Sequence, residues 1–215
     1  YVDDEGKMVT NAWVELKNEE DPDSPETPDA FWYYFEKDGK SAISKWVKFD
    51  SKWYYFDESG HMATGKTEID GATYYLGTEK DGFMRTGWIR LEENSHAPGA
   101  SESWYYFNSD GKMVTTQYDK KIDGSYYTFI DGKMQTGWLL YNNTWYYLSE
   151  SGAMVTGWIT LGDKAYYLGG DGGMLTGWQN IDGQIYYLYP DGHKAVNEVI
   201  DTFYVDQDGI WRKPQ

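Results

Sequence analysis

The 215 residues carry 19 Lys and Arg against 35 Asp and Glu, a formal net charge of −16, and no cysteine. That balance argues against a nucleic-acid or anionic-membrane partner, whose phosphates an acidic surface repels, and it rules out disulfide staples. Leu, Ile, Val and Phe together supply only 37 residues, but 11 Trp and 21 Tyr add large apolar area, so the chain is expected to fold around aromatic stacks rather than one aliphatic core.

Read in chain order, one pattern recurs. Tyr-Tyr pairs or their equivalents end at Tyr1, Tyr34, Tyr55, Tyr75, Tyr106, Tyr127, Tyr147, Tyr167, Tyr187 and Tyr204, most of them 20 or 21 residues apart. A Gly stands five residues after nine of the ten, and Gly82 follows Tyr75 by seven. A fixed internal period is the signature of a repeat architecture. In the unit from Thr136 to Trp158, the runs Gly137–Tyr141 and Trp145–Leu148 flank Asn142-Asn143-Thr144. Aromatic and aliphatic residues suit a pleated, half-buried surface, and an Asn pair between two such runs suits a hairpin turn. Each unit is thus a β-hairpin plus a short connection. A lone hairpin is marginal in water, so the units must stack.

Asp-Gly pairs mark the turn that leaves each Tyr-Tyr strand, as at Asp38-Gly39 and Asp191-Gly192, and fill the hairpin loop at residues 70–71, 123–124 and 182–183. Gly supplies the positive φ such turns need. Asp206-Gln207-Asp208-Gly209 begins like a calcium loop but lacks a closing Glu, and the period assigns these carboxylates to turns rather than to a metal. Two gaps exceed the period, residues 15–30 and 90–103. Both are polar, Pro-containing insertions into the same hairpin loop, hence surface loops within one repeat domain spanning 1–215.

The unit Gly-Trp-x7-Tyr-Tyr-Leu-x3-Gly-x-Met-x-Thr-Gly-Trp, residues Gly157 to Trp178, resembles the choline-binding, or cell-wall-binding, repeat of bacterial surface proteins. Related repeats occur in glucan-binding proteins and in the carbohydrate-binding tails of clostridial toxins. The resemblance covers the whole chain. It implies an all-β solenoid, a left-handed superhelix of about ten stacked hairpins, with ligand held between consecutive hairpins in a cage of aromatics often closed by a Met. It also implies that the two insertions, three units apart, project from one side of the superhelix.

A quaternary ammonium has no N–H to donate and is held by desolvated ring faces. The two strand tryptophans of a hairpin, seven residues apart in an uninterrupted unit, are therefore expected to form two walls, with a Met and the second Tyr of the following unit completing the cage. On that rule the candidate ligand-binding sets are Trp138, Trp145, Met154 and Tyr167; Trp46, Trp53, Met62 and Tyr75; Trp88, Trp104, Met113 and Tyr127; and Trp13 and Trp32 with Tyr55, the last without a Met because Ser41 stands in its place. Lys66 with Thr73, and Gln117 with Ser125, replace both tryptophans, while Trp158 faces Ala165 and Trp178 faces Ile185, so these positions read as lost or half built. Two to four working sites are expected.

The three histidines, His61, His96 and His193, join no catalytic motif, and no hydrolase or metalloprotease signature occurs. The reading is a non-catalytic attachment module, without cofactor, that binds choline or phosphocholine of teichoic acids at the extracellular bacterial cell surface. Its alternatives are a glucan or other glycan binder and an adhesin stalk that binds a host protein. No membrane insertion is expected, and a homodimer is left open.

Overall fold

The computed structural model describes residues 1–18, 28–92 and 101–212. Residues 19–27 and 93–100 lie outside the described residues, and with them the expectation about which side the insertions share. Every element is a strand. The chain runs through β1 (Ala12–Lys17), β2 (Ala30–Phe35), β3 (Lys45–Phe49), β4 (Lys52–Phe56), β5 (Lys66–Ile69), β6 (Ala72–Tyr75), β7 (Gly87–Glu92) and β8 (Glu102–Phe107). It continues through β9 (Gln117–Ile122), β10 (Ser125–Ile130), β11 (Lys133–Met134), β12 (Gly137–Tyr141), β13 (Thr144–Leu148), β14 (Gly157–Leu161) and β15 (Lys164–Leu168), and ends with β16 (Gly177–Ile181), β17 (Gln184–Leu188), β18 (Glu198–Ile200) and β19 (Phe203–Val205). Successive strands pair antiparallel as hairpins, β1 with β2 through β18 with β19, and β11 adds a short third strand to β10. The all-β hairpin repeat is as expected. The chain divides into two compact units, Tyr1–Val114 and Thr115–Gln215.

The hairpin turns follow from their residues. Asp50-Ser51, Asp70-Gly71, Asp123-Gly124, Asn142-Asn143, Asp182-Gly183 and Asp201-Thr202 all have positive φ at both positions, the geometry whose twist matches two antiparallel strands. The insertions begin beyond the ladder they were expected to open. Lys17 still pairs with Ala30 and Glu92 with Glu102, so these hairpins gain strand length before their loops diverge.

The core is a column. The residue just after the Tyr-Tyr pair or its equivalent is fully buried at Phe56, Leu76, Phe107, Leu148, Leu168, Leu188 and Val205, and Phe129, one residue further on, is buried likewise, each worth about 1.5 to 3 kcal/mol of burial. Beyond that residue the chain turns on its Gly and comes back to bridge it, as in Leu148 with Met154 and Leu168 with Met174. The returning segment also reaches the preceding hairpin. Met154 N–H donates to the Tyr126 carbonyl at 2.8 Å and Met174 N–H to that of Trp145 at 2.7 Å; in the first unit Met62 and Met84 make the same bond to Trp32 and Trp53. One backbone bond per repeat thus sets the stacking register.

Candidate functional site

In β12–β13, Trp138 pairs directly with Tyr147, and Trp145 lies two residues along the same face. Because side chains alternate along a strand, Tyr146 projects to the opposite face. Where the preceding hairpin carries a first-strand tryptophan, the first Tyr of the pair meets it, as Tyr54 meets Trp13, Tyr74 meets Trp46, Tyr166 meets Trp138 and Tyr186 meets Trp158. Tyr166 lies 5.1 Å from Trp138 at 68°, while Trp145 lies 6.4 Å from Trp138 at 88°. Tyr167, the expected third wall, packs instead across its own hairpin on Trp158 at 5.0 Å.

The Met is displaced in the same sense. The bond from Met174 to Trp145 places Met174, not Met154, with the Trp138 cage. The physical reason is that the connection reaches back to the hairpin before it. The sets are therefore Trp138, Trp145, Tyr166 and Met174; Trp46, Trp53, Tyr74 and Met84; and Trp13, Trp32, Tyr54 and Met62. Trp46 lies 5.0 Å from Tyr74 and packs in one cluster with Met84. Trp13, Trp32, Tyr54 and Met62 line a single cavity of about 160 Å³, so this position has its Met after all, and its Tyr is Tyr54 rather than Tyr55. Trp13 stands 4.8 Å from Tyr54 and 6.5 Å from Trp32, both at steep angles.

Trp88 and Trp104 are 6.5 Å apart at 86°. Met113 does not join them, since its N–H donates to the Thr73 carbonyl in the hairpin before. Tyr127 lies in the second unit, opposite Lys120 on β9.

Exposure separates the two tryptophans in three of these hairpins. There the one on the second strand is open, with Trp53 at 41%, Trp104 at 42% and Trp145 at 42% relative exposure, whereas Trp32 is half-buried. Those on the first strand are half-buried. The open indole thus recurs at one strand position of the repeat.

Sequence reasoning missed one position altogether. Gln117 pairs with Phe129 and Tyr127 with Lys120, with a bulge between them in which Asp119 takes φ +56°. The extra residue shifts the hairpin's alignment by one. Tyr118 and Tyr126 then occupy the tryptophan slots, where Gln117 and Ser125 were read. With Tyr146 and Met154 they line a cavity of about 340 Å³, and Tyr118 stacks on Tyr141 at 4.0 Å. A Tyr-Tyr-x-Phe run in place of Tyr-Tyr-Phe was the signal available.

Cations of the chain's own also stand over these rings, Lys48 over Trp53 at 5.6 Å and Lys121 over Tyr126 at 5.4 Å, and lysines occupy two further positions. Lys194 takes the Met slot beside Trp158, its N–H bonded to the Ala165 carbonyl, and its ammonium sits 5.3 Å from the Trp158 ring and 5.8 Å from that of Tyr186. Lys66 stands 5.3 Å over Tyr105. Burial, then Asp182, pushes the Tyr186 phenol above its ordinary value.

Comparison with known proteins gives the family. A family model described as a choline-binding repeat matches residues 43–88, 120–156 and 155–199, and one described as a putative cell wall binding repeat matches residues 100–113. A search of curated proteins finds no match. Among solved structures, the chain is similar to CbpJ from Streptococcus pneumoniae, with 31% sequence identity and a TM-score of 0.79 over 99% of this chain and 75% of that one. It is similar to choline binding protein F of the same organism, with 33% identity and a TM-score of 0.75 over 97% and 73% of the two chains. The modular autolysin LytC from Streptococcus pneumoniae matches at 25% identity and a TM-score of 0.62 over 84% of this chain and 40% of its own. With repeat models matching more than half of its residues, this chain belongs to the choline-binding repeat family.

Proposed function

We propose that the chain is a non-catalytic attachment module that holds choline residues of teichoic acids at the extracellular surface of a bacterial cell wall. The observation that carries this reading is the Trp138, Trp145 and Tyr166 set, three rings at steep angles with Trp145 left 42% exposed. A quaternary ammonium seated among them gains about 0.5 to 2 kcal/mol from cation–π attraction. No hydrogen bond to its nitrogen is needed. The acidic net charge of −16 favours a cation in the same direction. Choline binding protein F has been crystallised in the presence of a peptidoglycan analogue, which is consistent with work at a cell wall.

The test is chromatography on immobilised choline. The protein is expected to be retained and to elute with free choline, but not with glucose polymers or with sodium chloride at equal ionic strength. Passage straight through the column overturns the reading. Elution by the glucan alone would make the ligand a sugar.

A further inference from the structure

The family-model matches end at residue 199, inside β18, so the rest of the last described hairpin, β18–β19, and the connection after it lie beyond them. Here the cage slots have changed occupants. Trp178 keeps the first-strand position, Ile185 replaces the second-strand tryptophan, Phe203 takes the place of the first Tyr, and Trp211 stands in the Met slot. The register is the usual one, because Val205 bridges Trp211 and the Trp211 N–H donates to the Ile185 carbonyl at 2.8 Å. The indole missing from the strand has been replaced by one from the connection.

The outcome is again three rings around a space. Phe203 lies 5.8 Å from Trp178 at 85° and 6.1 Å from Trp211 at 76°. With Ile185 these rings line a cavity of about 210 Å³. Among the described residues the lining holds no cation of the chain, unlike the position closed by Lys194. The nearby Arg212 guanidinium is engaged by Asp206 at 2.7 Å. Trp211 Nε1 is buried with no hydrogen-bond partner, which is a cost a Met or Phe in that slot would not carry. What an indole adds there is a large face of high cation–π strength.

We infer that Trp178, Phe203 and Trp211, with Ile185, form a further quaternary-ammonium site in which a connection residue supplies the wall that the strand has lost. The inference rests on the choline reading and extends it to a position where the motif is absent. Among the described residues no hydroxyl or carboxylate lines the cavity, so recognition is of the methylated head alone, whatever it is attached to.

The test uses the full chain labelled with 5-fluorotryptophan, with the fluorine resonances of Trp138, Trp145, Trp178 and Trp211 assigned from single Trp→Phe variants. Choline chloride and tetramethylammonium chloride are titrated separately, with sodium chloride as control. The Trp178 and Trp211 signals are expected to shift saturably with both cations and not with the salt. In equilibrium dialysis, Trp211→Met should bind one ligand equivalent fewer, or bind it at least fivefold more weakly, with the Trp138 and Trp145 responses intact. The Ile185→Trp/Trp211→Met double variant, which returns the indole to the strand, should recover that equivalent. Stationary Trp178 and Trp211 signals beside responsive Trp138 and Trp145 overturn this site and leave the choline reading standing. If all four signals stay still, both fail.

Discussion

At the scale of single residues, which of two adjacent tyrosines faces the ligand is decided by strand alternation. Tyr166 meets Trp138, and Tyr167 meets Trp158 of its own hairpin. Tyr166→Ala should therefore weaken choline binding at the Trp138 cage by about tenfold, equivalent to about 1.4 kcal/mol, and Tyr166→Phe should retain most of it. Fluorine shifts of Trp138 and Trp145 during a choline titration would measure both. Asp206 supplies a pH-dependent contribution. Its carboxylate accepts from Ile210 N–H at 2.9 Å, the chief cause that holds its pKa below the ordinary value, with Arg212 and Asp208 adding to it. A carboxylate whose folded pKa is depressed stabilises the fold above its unfolded pKa of about 3.9, and that stabilisation is lost as pH falls through the lower folded value. Urea midpoints measured across about pH 5 to 2.5 should fall with acid in the wild type and fall less in Asp206→Asn.

At the scale of the repeat, the turn glycine has two duties. Gly192 adopts φ +87°, and a Cβ added there would overlap the Met174 thioether, which belongs to the Trp138 cage. Gly192→Ala should cost at least the roughly 1 to 2 kcal/mol of a left-handed L-residue. It should also weaken choline binding by moving Met174, and denaturation with and without choline would separate the two effects. The lysine-filled position makes the opposite prediction. Lys194 places its ammonium where a ligand's would sit. The Ala165→Trp/Lys194→Met double variant restores the ordinary set beside Trp158 and Tyr186 and should bind one more equivalent of choline in equilibrium dialysis.

At the scale of the whole molecule, aromatic sets recur in both compact units, so on the proposed function attachment to a polymer bearing many cholines depends on number as well as on strength. Linked weak sites gain avidity, on the order of a hundredfold or more, when several can engage one polymer. Loss of Trp145 alone should change retention on a dense choline matrix little. Joint replacement of Trp32, Trp53, Trp104 and Trp145 by Ala should abolish it, by far more than the sum of the single changes. Elution with a choline gradient would rank the variants.

The 20-residue period, the hairpins, their turns and the pairing of Trp138 with Trp145 were all legible in the sequence, because each is set by local chemistry. Asp-Gly and Asn-Asn dictate positive-φ turns, and alternation along one strand says which residues share a face. How one hairpin lies on the next has no local signal. It depends on a backbone bond from each connection to the hairpin before it, and that bond moved the closing methionine by one whole unit. The same stacking made the first Tyr, not the second, the third wall. A one-residue bulge at Asp119 placed Tyr118 and Tyr126 in slots that counting had given to Gln117 and Ser125. The sequence by itself determined that aromatic hairpins stack, since no single hairpin can bury its own rings. Only the tertiary structure decided which rings meet, because those meetings are made between repeats across a face that alternation alone leaves unassigned.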